Sequence, residues 1–123
     1  MAITVTTPSP GRFGFILNAV SADASGCEEL KAAPAAGTSI IVDHLTINCG
    51  ASALLITIGE GETGGAVTAA LIGPLAMAAN SSLQFDFNDG FFVHGMVLTA
   101  ATSLTVDASD AGAVCIFARG RVA

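Results

Sequence analysis

The chain has no tryptophan and no tyrosine, and its 123 residues carry only four lysines and arginines against ten aspartates and glutamates. The first absence removes the rings on which sugar-binding β-proteins usually stack their ligands, leaving Phe91 and Phe92 as partial substitutes. The second gives a formal net charge of −6. That charge repels phosphate backbones, and no basic patch with interleaved aromatics offsets it, which argues against a nucleic-acid partner. Charged residues make up 11% of the chain, less than half of the roughly 25% usual in soluble domains. Long apolar runs are missing too. Gly, Thr, Ser, Asn and Asp interrupt every hydrophobic segment before it reaches the roughly 18 residues of a membrane span, so no membrane partner is expected. The start, Met1 to Thr7, has neither a positive n-region nor an apolar h-region, and no signal peptide is expected.

Recognisable chemistry is equally sparse. Three cysteines, Cys27, Cys49 and Cys115, cannot all pair within one chain and form no C-x-x-C, so they read as free thiols of a protein folded in a reducing cytosol. His44 and His94 have no close His or Glu partner, and the His-x-His pair that opens a cupin metal motif is absent. Asp107-Ala108-Ser109-Asp110 could offer oxygens to calcium, but Asp is also ordinary turn chemistry. The glycine-rich Gly59-Glu60-Gly61-Glu62-Thr63-Gly64-Gly65 lacks the lysine of a phosphate loop and carries two acids. Nothing in the spacing selects a pair of carboxylates, and no G-x-S-x-G elbow occurs. No catalytic residue, metal ligand or cofactor is assigned, and the expectation is a protein that is not an enzyme.

What the sequence does contain is alternation. In Ser82 to Asn88, Leu83, Phe85 and Phe87 share one parity, Gln84, Asp86 and Asn88 the other, the mark of a strand with one dry face. Leu54, Ile56 and Ile58 repeat the pattern, as do Leu104 and Val106 with Thr105 and Asp107 outward. So do Val114, Ile116 and Ala118, with Cys115, Phe117, Arg119 and Arg121 on the other face. In Thr38 to Asn48 the phase changes between Ile40 and Val42 on one side and Leu45, Ile47 and Cys49 on the other, which a bulge near Asp43 or His44 would reconcile. From Arg12 to Val20, Phe13, Phe15, Leu17 and Ala19 oppose Arg12, Ile16, Asn18 and Val20. Gly59 to Gly65 reads as a flexible acidic loop. Val67 to Ala70 could begin a helical turn, but Gly73-Pro74 stops it, which favours a strand from Leu71 to Ala78. About eight short strands without a convincing helix describe a single all-β domain over 1–123, an antiparallel β-sandwich of jelly-roll type.

Three stretches carry a resemblance. These are Glu29 to Ile47 (with Gly37-Thr38-Ser39-Ile40-Ile41-Val42), Leu75 to Phe87 (with Ala79-Asn80-Ser81), and the close from Ser103 to Ser109 with Val114 to Gly120. Together they resemble the small all-β structural proteins of tailed-bacteriophage virions. The resemblance implies a jelly-roll capsid decoration (cement) protein without cofactor, commonly a trimer, folded in the host cytoplasm. It would clamp neighbouring major capsid protein subunits on the virion's outer surface. The alternative it leaves is a glycan- or receptor-binding module of a phage tail or fibre. A body this apolar and this poorly charged fits coverage by neighbours, because obligate interfaces are depleted in charge. Residues 1–20, punctuated by Pro8, Pro10 and Gly11, are a candidate arm, with the first strands of the sandwich as the competing reading. The candidate interface residues are Ile3, Val5, Arg12, Phe13, Phe15, Phe91, Phe92, Phe117, Arg119 and Arg121.

Overall fold

A computed structural model describes residues 4–6, 14–21, 26–87, 95–109 and 112–123. Ten strands follow in chain order: β1 (Thr4–Thr6), β2 (Phe15–Ser21), β3 (Gly26–Lys31), β4 (Ile40–Cys49), β5 (Leu54–Thr63), β6 (Ala66–Met77), β7 (Ser82–Asp86), β8 (Met96–Val97), β9 (Leu104–Ala108) and β10 (Val114–Val122). They form two antiparallel sheets. Sheet A runs β1-β2-β10-β4-β7, with β8 also on β4, and sheet B runs β3-β9-β5-β6. The pairings β2 with β10, β3 with β9, β4 with β7 and β5 with β6 are those of one long hairpin wrapped over itself. Its tip is the turn at Gly64-Gly65. That is jelly-roll connectivity.

Alternation fixes which side chains fill the space between the sheets. Leu17, Ala19, Leu45, Ile47, Ile56, Ile58, Leu104, Val106, Ile116 and Ala118 are all buried there, each large aliphatic side chain stabilising by about 1.5–3 kcal/mol relative to exposure. The phase change in β4 is a bulge where the alternation places it. Arg119 faces His44 but Gly120 faces Val42, so Asp43 is the extra residue. Gly120 is required opposite it, because a Cβ there would land on the Ile41 carbonyl oxygen. Asp43 is then re-aimed to accept a hydrogen bond from Arg121 Nη1 at 2.9 Å, and Ile40, Val42, Leu45, Ile47 and Cys49 all stay buried.

Several expectations are corrected. Most of Gly59 to Gly65 is strand, since β5 continues to Thr63 and only Gly64-Gly65 remains as the turn. Gly59 serves close packing, as a Cβ there would lie 2.7 Å from Val67 Cβ. Residues 67–70 are not helical, and β6 passes through Gly73-Pro74 without stopping. It can do so because β6 ends the order of sheet B, and an edge strand tolerates proline and a bulge. Phe15, expected at an interface, is 4% exposed and belongs to the core. Leu83 keeps its inward parity opposite Ile47 but is 40% exposed, because β7 lies at the open end of sheet A. Thr105 points away from the core as read, yet it is buried.

Of the segment considered as an arm, Thr4–Thr6 and Phe15–Ser21 are strands of sheet A, paired from Thr4 opposite Val20 to Thr6 opposite Asn18. Ile3, Arg12, Phe13, Phe91, Phe92, His94 and Asp110 lie outside the described residues.

Candidate partner-facing surface

The two sheets present different outer faces. On sheet B, β5 and β6 form a long hairpin that bends at Gly61, where φ is +72°, and lies across β9. Gly61 N–H donates to the Ser103 carbonyl at 2.9 Å, and the Cys27 N–H on β3 donates to the Gly65 carbonyl at 3.0 Å. Beneath this flap the Thr105 hydroxyl donates to the Gly61 carbonyl at 3.0 Å. The flap explains why an outward threonine is buried. It also covers Cys27, whose thiol pKa lies above its ordinary 9.0 because burial disfavours the thiolate and Glu62, Asp107 and Glu28 add negative potential, while the Thr105 hydrogen bond opposes them. At the root of the hairpin, Glu60 accepts from both the N–H and the hydroxyl of Thr99, each at 2.7 Å. The carboxylate ties β5 to the segment that follows β8.

Among the described residues, nothing covers the outer face of sheet A in this way. Cross-strand register sets Ile16, Arg119, His44 and Asp86 in one row, and Asn18, Phe117, Thr46 and Gln84 in the next. A third row, Val20, Cys115, Asn48 and Ser82, ends the face. Phe117 meets the His44 ring edge-on, with centroids 6.2 Å apart. His44 Nε2 lies 3.0 Å from the Thr46 hydroxyl oxygen, and the Cys115 thiol donates to Asn18 Oδ1 at 3.5 Å. Beside Val20 and Cys115 a depression of about 160 Å³ is floored by Cys49, Gly50 and Val114. Val20 is 49% exposed and Arg119 is exposed as well.

Sheet A therefore brings together Phe117, Arg119 and Arg121, three of the expected interface residues, on one strand. Val5 lies apart from them, half-buried and packed against the core at the β1 edge. Ile16, Val20 and His44 complete the face and were not among the expected residues. Their signal was available as the parity opposite Phe15 and Leu17 for the first two. For His44 it was position on a long strand already known to change phase. Among the described residues no group of three or more His, Cys, Asp and Glu side chains converges as metal ligands, and no helix is long and apolar enough to cross a membrane. A shallow depression of about 460 Å³ lined by Leu54, Leu55, Ala76, Met77 and Ser109 lies on the sheet B side. It offers a single hydroxyl, and Ser109 Oγ already accepts from the Leu55 N–H at 3.0 Å. No protein-family model, no curated protein and no solved structure matches the chain.

Proposed function

We propose that the protein is a non-enzymatic structural component of a virion, a decoration protein that clamps neighbouring major capsid subunits through the outer face of sheet A. The observation that carries this reading is the asymmetry of the sandwich. Among the described residues, sheet B covers part of its own outer face with its hairpin, whereas sheet A leaves open a broad face on which polar and apolar side chains surround Phe117, with Arg119 and Asp86 as exposed charges. Such a face suits a wide protein surface better than a small substrate, because it is broad and, among the described residues, no three His, Cys, Asp or Glu side chains converge on it. Arg119 belongs to the residue types that dominate binding energy at interfaces, and Phe117 to the aromatic types enriched there. The sparse charge of the whole chain supports the same reading, since a body destined for coverage needs few solvated groups.

The test is direct. Protein added to undecorated capsids should bind at saturable, symmetric sites and raise the melting temperature of the particle. Arg119→Glu together with Phe117→Ala should weaken that binding by roughly a hundredfold or more. Capsids left unbound, with the protein retained on a glycan surface instead, would overturn the proposal in favour of a receptor-binding module.

A further inference from the structure

The strand edges differ more than the faces do. Each sheet ends in strands whose outer backbone groups have no strand partner among the described residues, and such edges invite pairing with another chain unless they are blunted. In sheet A, β1 spans three residues and β7 five, the latter ending on Asp86. In sheet B, β3 carries Glu28, Glu29 and Lys31. The opposite edge, β6, is twelve residues long and contains no ionisable side chain. Its second half is interrupted, because the register slips at Leu71 and again around Gly73-Pro74. Its first half has neither defence. From Ala66 to Ala70 the side chains are small and uncharged, and Ala66, Thr68, Ala69 and Ala70 are exposed.

We infer that Ala66–Ala70 is a self-association edge, pairing antiparallel with the same stretch of a second copy about a two-fold axis. The occupant follows from self-complementarity, and the place of contact from charge. Copies of a chain with a net charge of −6 repel one another wherever acids face acids, as they would at the β3 edge or around Glu62. β6 lets two backbones meet without placing a carboxylate opposite a carboxylate. An isologous contact also needs a self-complementary stretch. With Thr68 on the axis, Val67 faces Ala69 and Ala66 faces Ala70, so only small side chains oppose one another, and the central Thr–Thr pair is a favourable cross-strand match. The two B sheets become one continuous sheet, and both open A faces stay available. The inference rests on the reading that neighbours cover this body, and it specifies which edge a second copy covers.

Two measurements decide it. Light scattering over a concentration series should show the wild-type chain at twice its 12.2 kDa mass. Thr68→Lys, which sets two like charges face to face at the axis, should raise the dimer dissociation constant roughly tenfold or more, whereas Thr68→Val and Glu29→Lys on β3 should leave it within about twofold. Amide hydrogen exchange of the wild-type protein should show protection within residues 66–70 that grows with concentration, a readout that stands even if the lysine variant fails to fold. A chain that stays monomeric at every concentration overturns the inference. So does an oligomer that Thr68→Lys leaves intact and whose concentration-dependent protection lies elsewhere. Capsid binding is read separately, so a monomer that still decorates capsids would refute this edge and leave the proposed function standing.

Discussion

Besides the register slips of β3 and β6 in sheet B, each sheet carries one prominent irregularity, and the two use it in opposite ways. In sheet A the extra residue Asp43 is absorbed within the ladder, opposite Arg119 and Gly120. Both halves of β4 keep their buried side chains, and the outer surface stays a regular grid. In sheet B the irregularity is a bend at Gly61 that lifts the hairpin over the sheet and covers Thr105. A bulge corrects phase and preserves a face, whereas a bend consumes one. The comparison teaches which side of a sparsely charged sandwich is left for a partner.

The largest break in that comparison should come from Gly120→Ala. The added methyl meets the Ile41 carbonyl and lies 3.1 Å from Phe15 Cε1, and neither backbone nor core can move aside cheaply. We expect a loss of about 3 kcal/mol, read as a lower denaturant midpoint with an unchanged m-value. An equal or smaller loss than Gly61→Ala would show that the bulge is not the tighter of the two devices. Gly61→Ala comes next, at about 1–2 kcal/mol for a non-glycine residue at φ +72°, with its Cβ 2.8 Å from Thr68 Oγ1. Its distinguishing consequence is local. If the bend is what covers sheet B, Cys27 should react faster with a thiol reagent in this variant, while Cys115 on sheet A should not change.

Most of this architecture was legible in the residues. The bulge followed from Ile40 and Val42 sharing one parity and Leu45, Ile47 and Cys49 the other, because side-chain period in a strand leaves no other way to bury both sets. The face bearing Phe117, Arg119 and Arg121 followed from the same rule applied to β10. What could not be read was context across strands. Phe15 carries the same alternation whether it faces a neighbour or the core, and only its place in β2, an interior strand of sheet A, decides between them. Gly59 to Gly65 has the composition of a loop, yet Gly59 is there to admit Val67 and Gly61 to bend the hairpin. Thr105 is outward by parity and buried by a segment more than forty residues away, Gly61. Pairing of that range leaves no local trace.

A third variant probes the root of the hairpin. Glu60→Ala removes the acceptor of two hydrogen bonds from Thr99, and for a partly exposed pair we expect a loss of about 1 kcal/mol. Glu60→Gln, which keeps one acceptor oxygen, should recover part of it. Equal losses in both variants would mean that the carboxylate's charge matters more than its shape.

The smallest effect is the cleanest discriminator between the two faces. Burial first, then Glu62, Asp107 and Glu28, raise the Cys27 pKa above 9.0. Its thiol therefore stays protonated in the folded chain at a pH where the unfolded thiol has begun to ionise. The sign follows: stability linked to this group is fully present below about pH 9.0 and is lost as pH rises through the higher folded value. Reactivity follows the thiolate. Alkylation of Cys27 should thus begin to accelerate at a higher pH than in the unfolded chain. Glu62→Gln should move that onset downward without altering the fold, since Glu62 is exposed on the hairpin. Were the Cys27 profile the same in folded and unfolded protein, the hairpin would not be shielding β3, and the contrast between a covered and an open face would fail at its base.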